Sequence, residues 1–308
     1  MSDEPRPEWM DRPEGGGTVA LWIIRAFALR VGRVPARIVL MFVAAYFVIR
    51  RGPERRASRR FLTRVHGRPA SLIDVWKHMF TFATVTLDRV FLLTEAFRRF
   101  EITTYGIDAV HHVIEGGKGA LLVGAHLGSF EALRVLALQR PEQSVRPVID
   151  LEQNPTVSVL LNALNPALAH SIINSRGDGT TTALKIHEAL AVEKALVTLL
   201  ADRARPGNTK VAVSFLGAPA GFPTAPWLLA AALKVPVVLC FGIYRGGRRY
   251  DLHFEAFSDL VDIPRGKRAA AVNAVTQQFA DRLSHFAKLA PYNWFNFYDL
   301  WVEAEQPE

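Results

Sequence analysis

Short apolar runs alternate with amphipathic segments through most of the chain after residue 70. Apolar runs bounded by glycine or polar residues are typical of buried strands, and apolar positions that repeat about every 3.6 residues are typical of helices. The pattern predicts strands at 119–125, 145–149, 171–173, 194–201, 211–216, 236–243 and 249–256. It predicts helices at 71–100, 129–139, 155–164, 180–191, 225–234 and 267–289. Such alternation predicts an α/β fold, a layered domain whose largely parallel central sheet is flanked by helices.

The amino-terminal region, residues 1–68, follows a different pattern from the α/β domain of residues 69–308. Residues 1–17 are polar and rich in proline and glycine, which predicts a flexible lead. Residues 18–49 are apolar but carry four arginines. The longest uncharged part, 38–49, is shorter than the roughly 20 residues that a transmembrane helix needs. We therefore expect an apolar and basic helical membrane anchor that is interfacial or re-entrant.

Positive charge is concentrated in the same region. Residues 1–68 hold 14 of the 37 Lys+Arg and 6 of the 29 Asp+Glu, so they carry the whole formal net charge of +8. Basic residues beside apolar sequence are typical of contact with anionic lipid headgroups, and we expect residues 50–68 to lie there. A solvated charged helix in a soluble protein is the alternative. Nucleic acid is not expected as a partner, because the charge lies beside aromatic and aliphatic residues and not on a polar domain.

The candidate chemistry lies where the predicted strand 119–125 ends. His126 opens the hexapeptide HLGSFE, in which Gly128 and Ser129 precede Glu131. On one continuous helix these two side chains would lie roughly 140° apart, so they can meet only if His126 lies in the turn before the helix. A carboxylate that fixes the tautomer of an imidazole makes it a general base, and N–H groups at a helix start can hold an oxyanion. The alternative is a structural histidine that only forms hydrogen bonds at the start of the helix.

Several segments of the chain, in their order along the sequence, resemble a known family. HLGSFE resembles the His-x-x-x-x-Asp/Glu motif of the lysophospholipid acyltransferase superfamily, and most of the chain is similar to the bacterial lipid A biosynthesis (lauroyl/myristoyl) acyltransferase family. The similarity includes DVWKHMFTFATVTLDRVFLL, LADRARPGNTKVAVSFLGAP and the aromatic tail PYNWFNFYDLW. The chain departs from the family at 148–150, where a Tyr-Arg pair is frequent, and it lacks the superfamily's later Glu-Gly-Thr-Arg block.

The resemblance implies a membrane-associated O-acyltransferase. It implies His126 as the base, Glu131 as its orienting carboxylate, and backbone donors near Gly128 and Ser129 for the oxyanion. It also implies acyl carrier protein or acyl-CoA as the donor and a lipid or cell-envelope glycolipid as the acceptor. No metal or other cofactor is expected. With the basic region, it implies an anionic membrane surface as a partner, at the cytoplasmic face of a bacterial inner membrane.

Four further residues are candidates for substrate binding. The resemblance places Asp202 at the acceptor pocket with Arg203 as its neighbour, and surface ion pairing is the alternative. Arg245 ends a predicted strand, where open α/β sheets place their sites, and its guanidinium could bind a phosphate or carboxylate. Arg176 could supply the positive charge of the missing Tyr-Arg pair.

Two other functions stay open at this point. A non-catalytic membrane scaffold with the same fold would bind lipid without turnover, and a thioester hydrolase would consume the donor without an acceptor.

Two smaller features bear on the class of protein. Cys240 is the single cysteine, which excludes an internal disulfide and fits a reducing compartment. The aromatic tail of residues 291–301 either packs into the core or lies at a membrane interface, and we favour the core.

Overall fold

The structure is a computed structural model, and it describes residues 30–133, 142–152, 155–176, 179–204 and 208–301. The helices are α1 Arg33–Arg50, α2 Gly52–His66, α3 Leu72–Leu92, α4 Asp108–Glu115, α5 Pro155–Leu164, α6 Pro166–Ser171, α7 Gly179–Ala191, α8 Ala225–Leu233 and α9 Arg268–Leu289. The strands are β1 Glu101–Tyr105, β2 Ala120–Gly124, β3 Val145–Ile149, β4 Ile173–Asn174, β5 Leu196–Leu200, β6 Lys210–Phe215, β7 Ala218–Pro223, β8 Val237–Gly246 and β9 Arg249–Ser258. Short 3₁₀ helices cover Glu95–Arg99, Glu131–Leu133 and Arg265–Lys267.

The chain divides into two compact units. The sheet unit consists of Val90–Asp202 and Ala225–Val275, and the helical unit consists of Met1–Arg89, Arg203–Thr224 and Thr276–Glu308. The predicted boundary at residues 68/69 falls within the first segment of the helical unit, and the division into a membrane-associated region and a catalytic domain stays a prediction.

The sheet unit is built on a seven-stranded sheet in the order β1-β9-β8-β2-β5-β3-β4. Strands β8, β2, β5, β3 and β4 are mutually parallel, β9 is antiparallel to β8, and β1 is parallel to β9. Every residue of β2 is buried, as expected for a central strand covered on both faces. Helix α4 packs beside β9 and α7 packs beside β5. The prediction of an α/β fold with a largely parallel sheet flanked by helices is therefore confirmed.

The helical unit has an aromatic core. The Trp294 ring lies 4.9 Å from the ring of Phe61 and 5.0 Å from that of Phe215, between centroids. Trp294 and Trp301 are fully buried. Burial of these large rings is among the strongest contributions that side chains make to a core. The expectation that the aromatic tail packs into the core is confirmed.

Several predicted elements change in the structure. The predicted helix 71–100 ends at Leu92 and is followed by a 3₁₀ helix. The predicted strand 211–216 is β6, which pairs antiparallel with β7 in a separate two-stranded sheet. Strands β1 and β7 escaped prediction, because β1 is a short edge strand that alternates in exposure and β7 contains two prolines and a glycine. Of the predicted helix 129–139, the described part holds only the 3₁₀ turn Glu131–Leu133, and residues 134–141 lie outside the described residues.

Helix α1 is apolar on two sides. Its inner face is buried and consists largely of Ala36, Leu40, Ala44 and Val48. Its outer face exposes large apolar side chains, including Phe42 and Ile49, each 73% exposed. None of the helices in the described part of the chain is long and apolar enough to cross a membrane.

An ion pair ties α1 to α3. The Arg33 guanidinium donates two hydrogen bonds to the Asp88 carboxylate, at 2.5 Å from Nε and 2.8 Å from Nη2. Both side chains are buried. Fork-shaped donation of this kind satisfies both carboxylate oxygens, which a buried charge requires.

Arginines of the 50–68 segment also make contacts inside the protein. Arg55 donates to the Val48 carbonyl near the end of α1, and Arg60 forms an ion pair with Asp299 at 2.7 Å. The expected contact of this segment with headgroups stays a prediction, and Arg56 and Arg59 are the exposed arginines of α2.

Candidate active site

Two parallel neighbouring strands bring a histidine and an aspartate together. Strands β2 and β5 pair with Gly124 opposite Leu200, so they end at the same level. His126 follows the end of β2 by two residues, and Asp202 follows the end of β5 by two residues. The Ala201 N–H donates to the Gly124 carbonyl at 2.9 Å, which extends the pairing past both strands. Carboxyl ends of parallel strands are the usual place for sites in open α/β sheets.

His126 and Asp202 are joined by two hydrogen bonds. Nδ1 of His126 lies 2.8 Å from Oδ1 of Asp202, and the backbone N–H of His126 donates to Oδ2 at 3.0 Å. The Asp202 side chain is fully buried, and the His126 side chain is 33% exposed. Because a carboxylate only accepts hydrogen bonds, Nδ1 of a neutral His126 carries the hydrogen and Nε2 carries the lone pair. The imidazole is therefore held in the tautomer in which Nε2 can accept a proton.

Glu131 makes a contact that the sequence did not predict. Its Oε2 accepts a hydrogen bond from the Ser129 hydroxyl at 3.1 Å. The carboxylate seen on Nδ1 of His126 is that of Asp202. The pairing of Glu131 with His126 thus stays a prediction, and Asp202, expected at the acceptor pocket, is the residue that orients the imidazole.

Two glycines let the loop after His126 lie against β8. Gly128 has φ +73° and forms an isolated parallel bridge with Gly242 of β8. A Cβ atom on Gly128 would overlap the Gly242 carbonyl, and one on Gly242 would overlap the Ser129 carbonyl oxygen. The Ser129 N–H donates to the Gly242 carbonyl at 2.7 Å. This amide is already hydrogen-bonded, so an oxyanion role for Ser129 would require that bond to be given up.

The other predicted binding residues have partners of their own among the described residues. Arg176 forms an ion pair with Glu152, and Arg245 forms one with Asp251 at 3.2 Å. Ion pairs of this kind are common among surface arginines. Arg203 belongs to the helical unit, where its Nη2 donates to the Phe295 carbonyl at 2.6 Å and its guanidinium lies over the Tyr298 ring.

Sequence reasoning missed the direct bond between His126 and Asp202. A signal was present, because each residue follows a buried apolar run by the same short interval. Two such runs become neighbours only once strand order is known, and strand order is not visible in the periodicity. Within the described residues, no group of His, Cys, Asp and Glu side chains is arranged to hold a metal ion.

A sheet with a carboxylate-oriented histidine at the carboxyl ends of its strands is an arrangement suited to general-base chemistry. The chain matches the family described as bacterial lipid A biosynthesis acyltransferase over residues 20–303, and it belongs to that family. It is therefore an acyltransferase. No curated protein matches the chain.

Proposed function

We propose that this protein is a membrane-associated O-acyltransferase that moves a fatty acyl chain from an acyl thioester to a hydroxyl group of a lipid or cell-envelope glycolipid. Family membership supports an acyl donor and a lipid acceptor. The observation that carries the proposed chemistry is the hydrogen bond of Asp202 to Nδ1 of His126. It leaves a basic nitrogen on a partly exposed ring at the active edge of the sheet.

The proposed reaction begins with proton transfer to Nε2 of His126 from the acceptor hydroxyl. The hydroxyl oxygen then attacks the thioester carbonyl carbon, and a tetrahedral intermediate forms. When the C–S bond breaks, the thiolate takes the proton back from the imidazolium and an ester remains. Asp202 stabilises the imidazolium between these two steps, because its buried carboxylate faces Nδ1.

Glu131 and the oxyanion donors complete the proposal. The Ser129 hydroxyl fixes one oxygen of Glu131, so this carboxylate is held at a set position on the same loop. In the proposal, Glu131 contributes charge balance to His126, while Asp202 sets the tautomer. Backbone N–H groups around Gly128 stabilise the oxyanion.

The outer face of α1 supports a place at a membrane. Single exposed apolar residues are common on protein surfaces, but this face exposes several large ones together. Exposed arginines of α2 follow directly in the chain. We infer an interfacial contact with an anionic bilayer, at the cytoplasmic face of a bacterial inner membrane. The donor in this proposal is acyl carrier protein or acyl-CoA.

The test compares lipids from cells that express the intact protein with those from cells that express single variants. His126→Ala and Asp202→Asn are each expected to lower acyl transfer by about 100-fold or more, as general bases contribute about 10²–10⁴. His112→Ala, at an exposed histidine of the same unit, is the control and is expected to keep wild-type transfer. Mass spectrometry would identify the product as a lipid heavier than its precursor by one acyl group.

Three results would contradict the proposal. Near-normal transfer by a folded His126→Ala protein would exclude the base mechanism. Identical lipids from cells expressing the intact protein and from cells expressing each variant would favour a lipid-binding scaffold. Donor consumption without an acylated lipid would favour a thioester hydrolase.

A further inference from the structure

Five exposed arginines lie at one corner of the sheet unit. Arg245, Arg248 and Arg249 lie at the turn between β8 and β9, and Arg98 and Arg99 end a 3₁₀ helix. The Glu101 N–H donates to the Arg248 carbonyl at 3.0 Å, which joins the two segments. Arg99 precedes Glu101 by two residues, so its Cα lies within about 7 Å of that contact. Together these five residues form the arginine corner.

The turn that presents these arginines is a defined structure. Gly246 and Gly247 have φ values of 92° and 60°, which only glycine adopts readily and which let β8 reverse tightly into β9. The Tyr244 and Tyr250 rings pack 5.3 Å apart behind the turn, and both are buried. The arginines therefore extend from a preorganised hairpin, which lowers the entropy cost of binding a partner.

The charge of the corner is only partly compensated. Asp251 pairs with Arg245 at 3.2 Å, and Glu101 is the exposed acid beside Arg249 in the strand register. Among the described residues, Arg99, Arg248 and Arg249 form no ion pair. Exposed positive charge of this kind attracts an acidic partner over a range of about 10 Å and speeds its encounter.

The corner projects from the edge of the sheet that holds His126. Strand β8 runs parallel to β2, and its Gly242 is bonded to the loop that follows His126. Strand β8 then continues for four residues to Gly246, which places the turn about 13 Å further along the strand. The turn therefore lies at the same edge of the sheet as His126 but away from it.

We propose that the arginine corner is the docking surface for an acidic acyl carrier protein that delivers the acyl thioester to His126. This inference rests on the proposed function, because it names the partner of that site. Exposed arginines on a protruding turn suit the acidic face of a small protein, in which charge pairs set encounter and orientation. Small phosphate ligands are bound in concave sites with converging donors, and a protruding turn is the opposite shape.

The experiment compares two charge-reversal variants of the full-length protein. Arg248→Glu with Arg249→Glu changes the corner. The matched control, Arg265→Glu with Lys267→Glu, makes the same charge change at exposed residues that follow β9, whose carboxyl end lies at the opposite edge of the sheet. Binding of holo acyl carrier protein is measured by calorimetry at low and moderate salt. The KM for acyl carrier protein thioester is then compared with the KM for acyl-pantetheine, which lacks the protein.

The corner variant is expected to weaken carrier-protein binding by about tenfold or more and to lose most of the salt dependence of binding, while the control binds as the intact protein does. Its KM is expected to rise much more for the carrier-protein donor than for acyl-pantetheine. Equal weakening in the control, or an equal rise of both KM values, would overturn the inference. The inference would also be overturned if the corner variant bound the carrier protein normally but had a raised KM for acyl-CoA or bound anionic vesicles more weakly.

The binding measurement separates this inference from the proposed function. Corner-dependent carrier binding by a protein that transfers no acyl chain would contradict the proposed function and support the docking surface. Lipid acylation by the intact protein, together with carrier binding that does not depend on the arginine corner, would support the proposed function and contradict the docking surface.

Discussion

His78 is a buried histidine whose protonation the fold opposes, and this makes the stability of the helical unit depend on pH. It lies on α3 and is fully buried. Its Nε2 lies 2.8 Å from the Trp294 carbonyl, and its Nδ1 lies 2.8 Å from the Ser58 hydroxyl. A carbonyl only accepts, so Nε2 carries the hydrogen and Nδ1 accepts from Ser58. The neutral ring is satisfied at both nitrogens.

Burial lowers the pKa of His78 from its ordinary value of 6.5 to about 4, and the hydrogen bond to the Trp294 carbonyl opposes part of that shift. The unfolded chain therefore takes up a proton on this residue before the folded chain does. Its contribution to stability is complete above about pH 6.5 and is lost as the pH falls toward about 4. At pH 4.5 the loss amounts to about 2.5 kcal/mol, since one pKa unit corresponds to about 1.4 kcal/mol.

The assay is urea unfolding of the intact protein and of His78→Gln at pH 7 and pH 4.5. Both proteins are expected to lose stability in acid, and the intact protein is expected to lose about 2.5 kcal/mol more than the variant. His285→Gln, at an exposed histidine of the same unit, is expected to follow the intact protein. Equal losses for the intact protein and His78→Gln would refute the argument, whatever their stabilities at pH 7.

Three further changes test separate parts of the structure. Arg33→Met is expected to destabilise the protein by about 3–5 kcal/mol in urea unfolding, because it removes the guanidinium that neutralises the buried Asp88 carboxylate. Gly242→Ala is expected to lower kcat by about 10- to 100-fold with the fold retained, since its Cβ displaces the loop after His126 and small misplacements are costly in catalysis. Phe42→Ser is expected to weaken binding to anionic vesicles in a sedimentation assay, because it removes apolar area from the outer face of α1.

Each of these changes has a matched control. Arg33→Met with Asp88→Leu removes both charges and is expected to recover most of the lost stability; failure to recover it would mean that packing, not charge, set the cost. Gly266→Ala adds a Cβ into open space and is expected to keep normal kcat, and equal damage by both glycine variants would refute the loop argument. Val192→Ser, at a residue 74% exposed in the sheet unit, is expected to leave vesicle binding unchanged.

The periodicity of the sequence predicts the central strands well, because β2, β5 and β8 are apolar runs whose burial on both faces leaves a local signature. Edge strand β1 and the proline-containing β7 lack that signature. The same limit applies to the site. The spacing of His126 and Glu131 is local and visible, whereas the bond between His126 and Asp202 depends on the order of strands in the sheet. The ion pairs of Arg176 and Arg245 were equally hidden, since their acidic partners are set by folding.

The aromatic core of the helical unit also sets the order in which the chain can fold during synthesis. His78 is made before its partner Trp294, which follows 216 residues later. At about 5–20 residues per second, this interval corresponds to roughly 10–40 s on the ribosome. During that time α1, α2 and α3 lack the rings of Trp294 and Trp301 that fill their core. A nascent chain stalled before residue 290 would present this apolar surface to chaperones and proteases, so the core of the helical unit is completed only when Trp294 and Trp301 have been made.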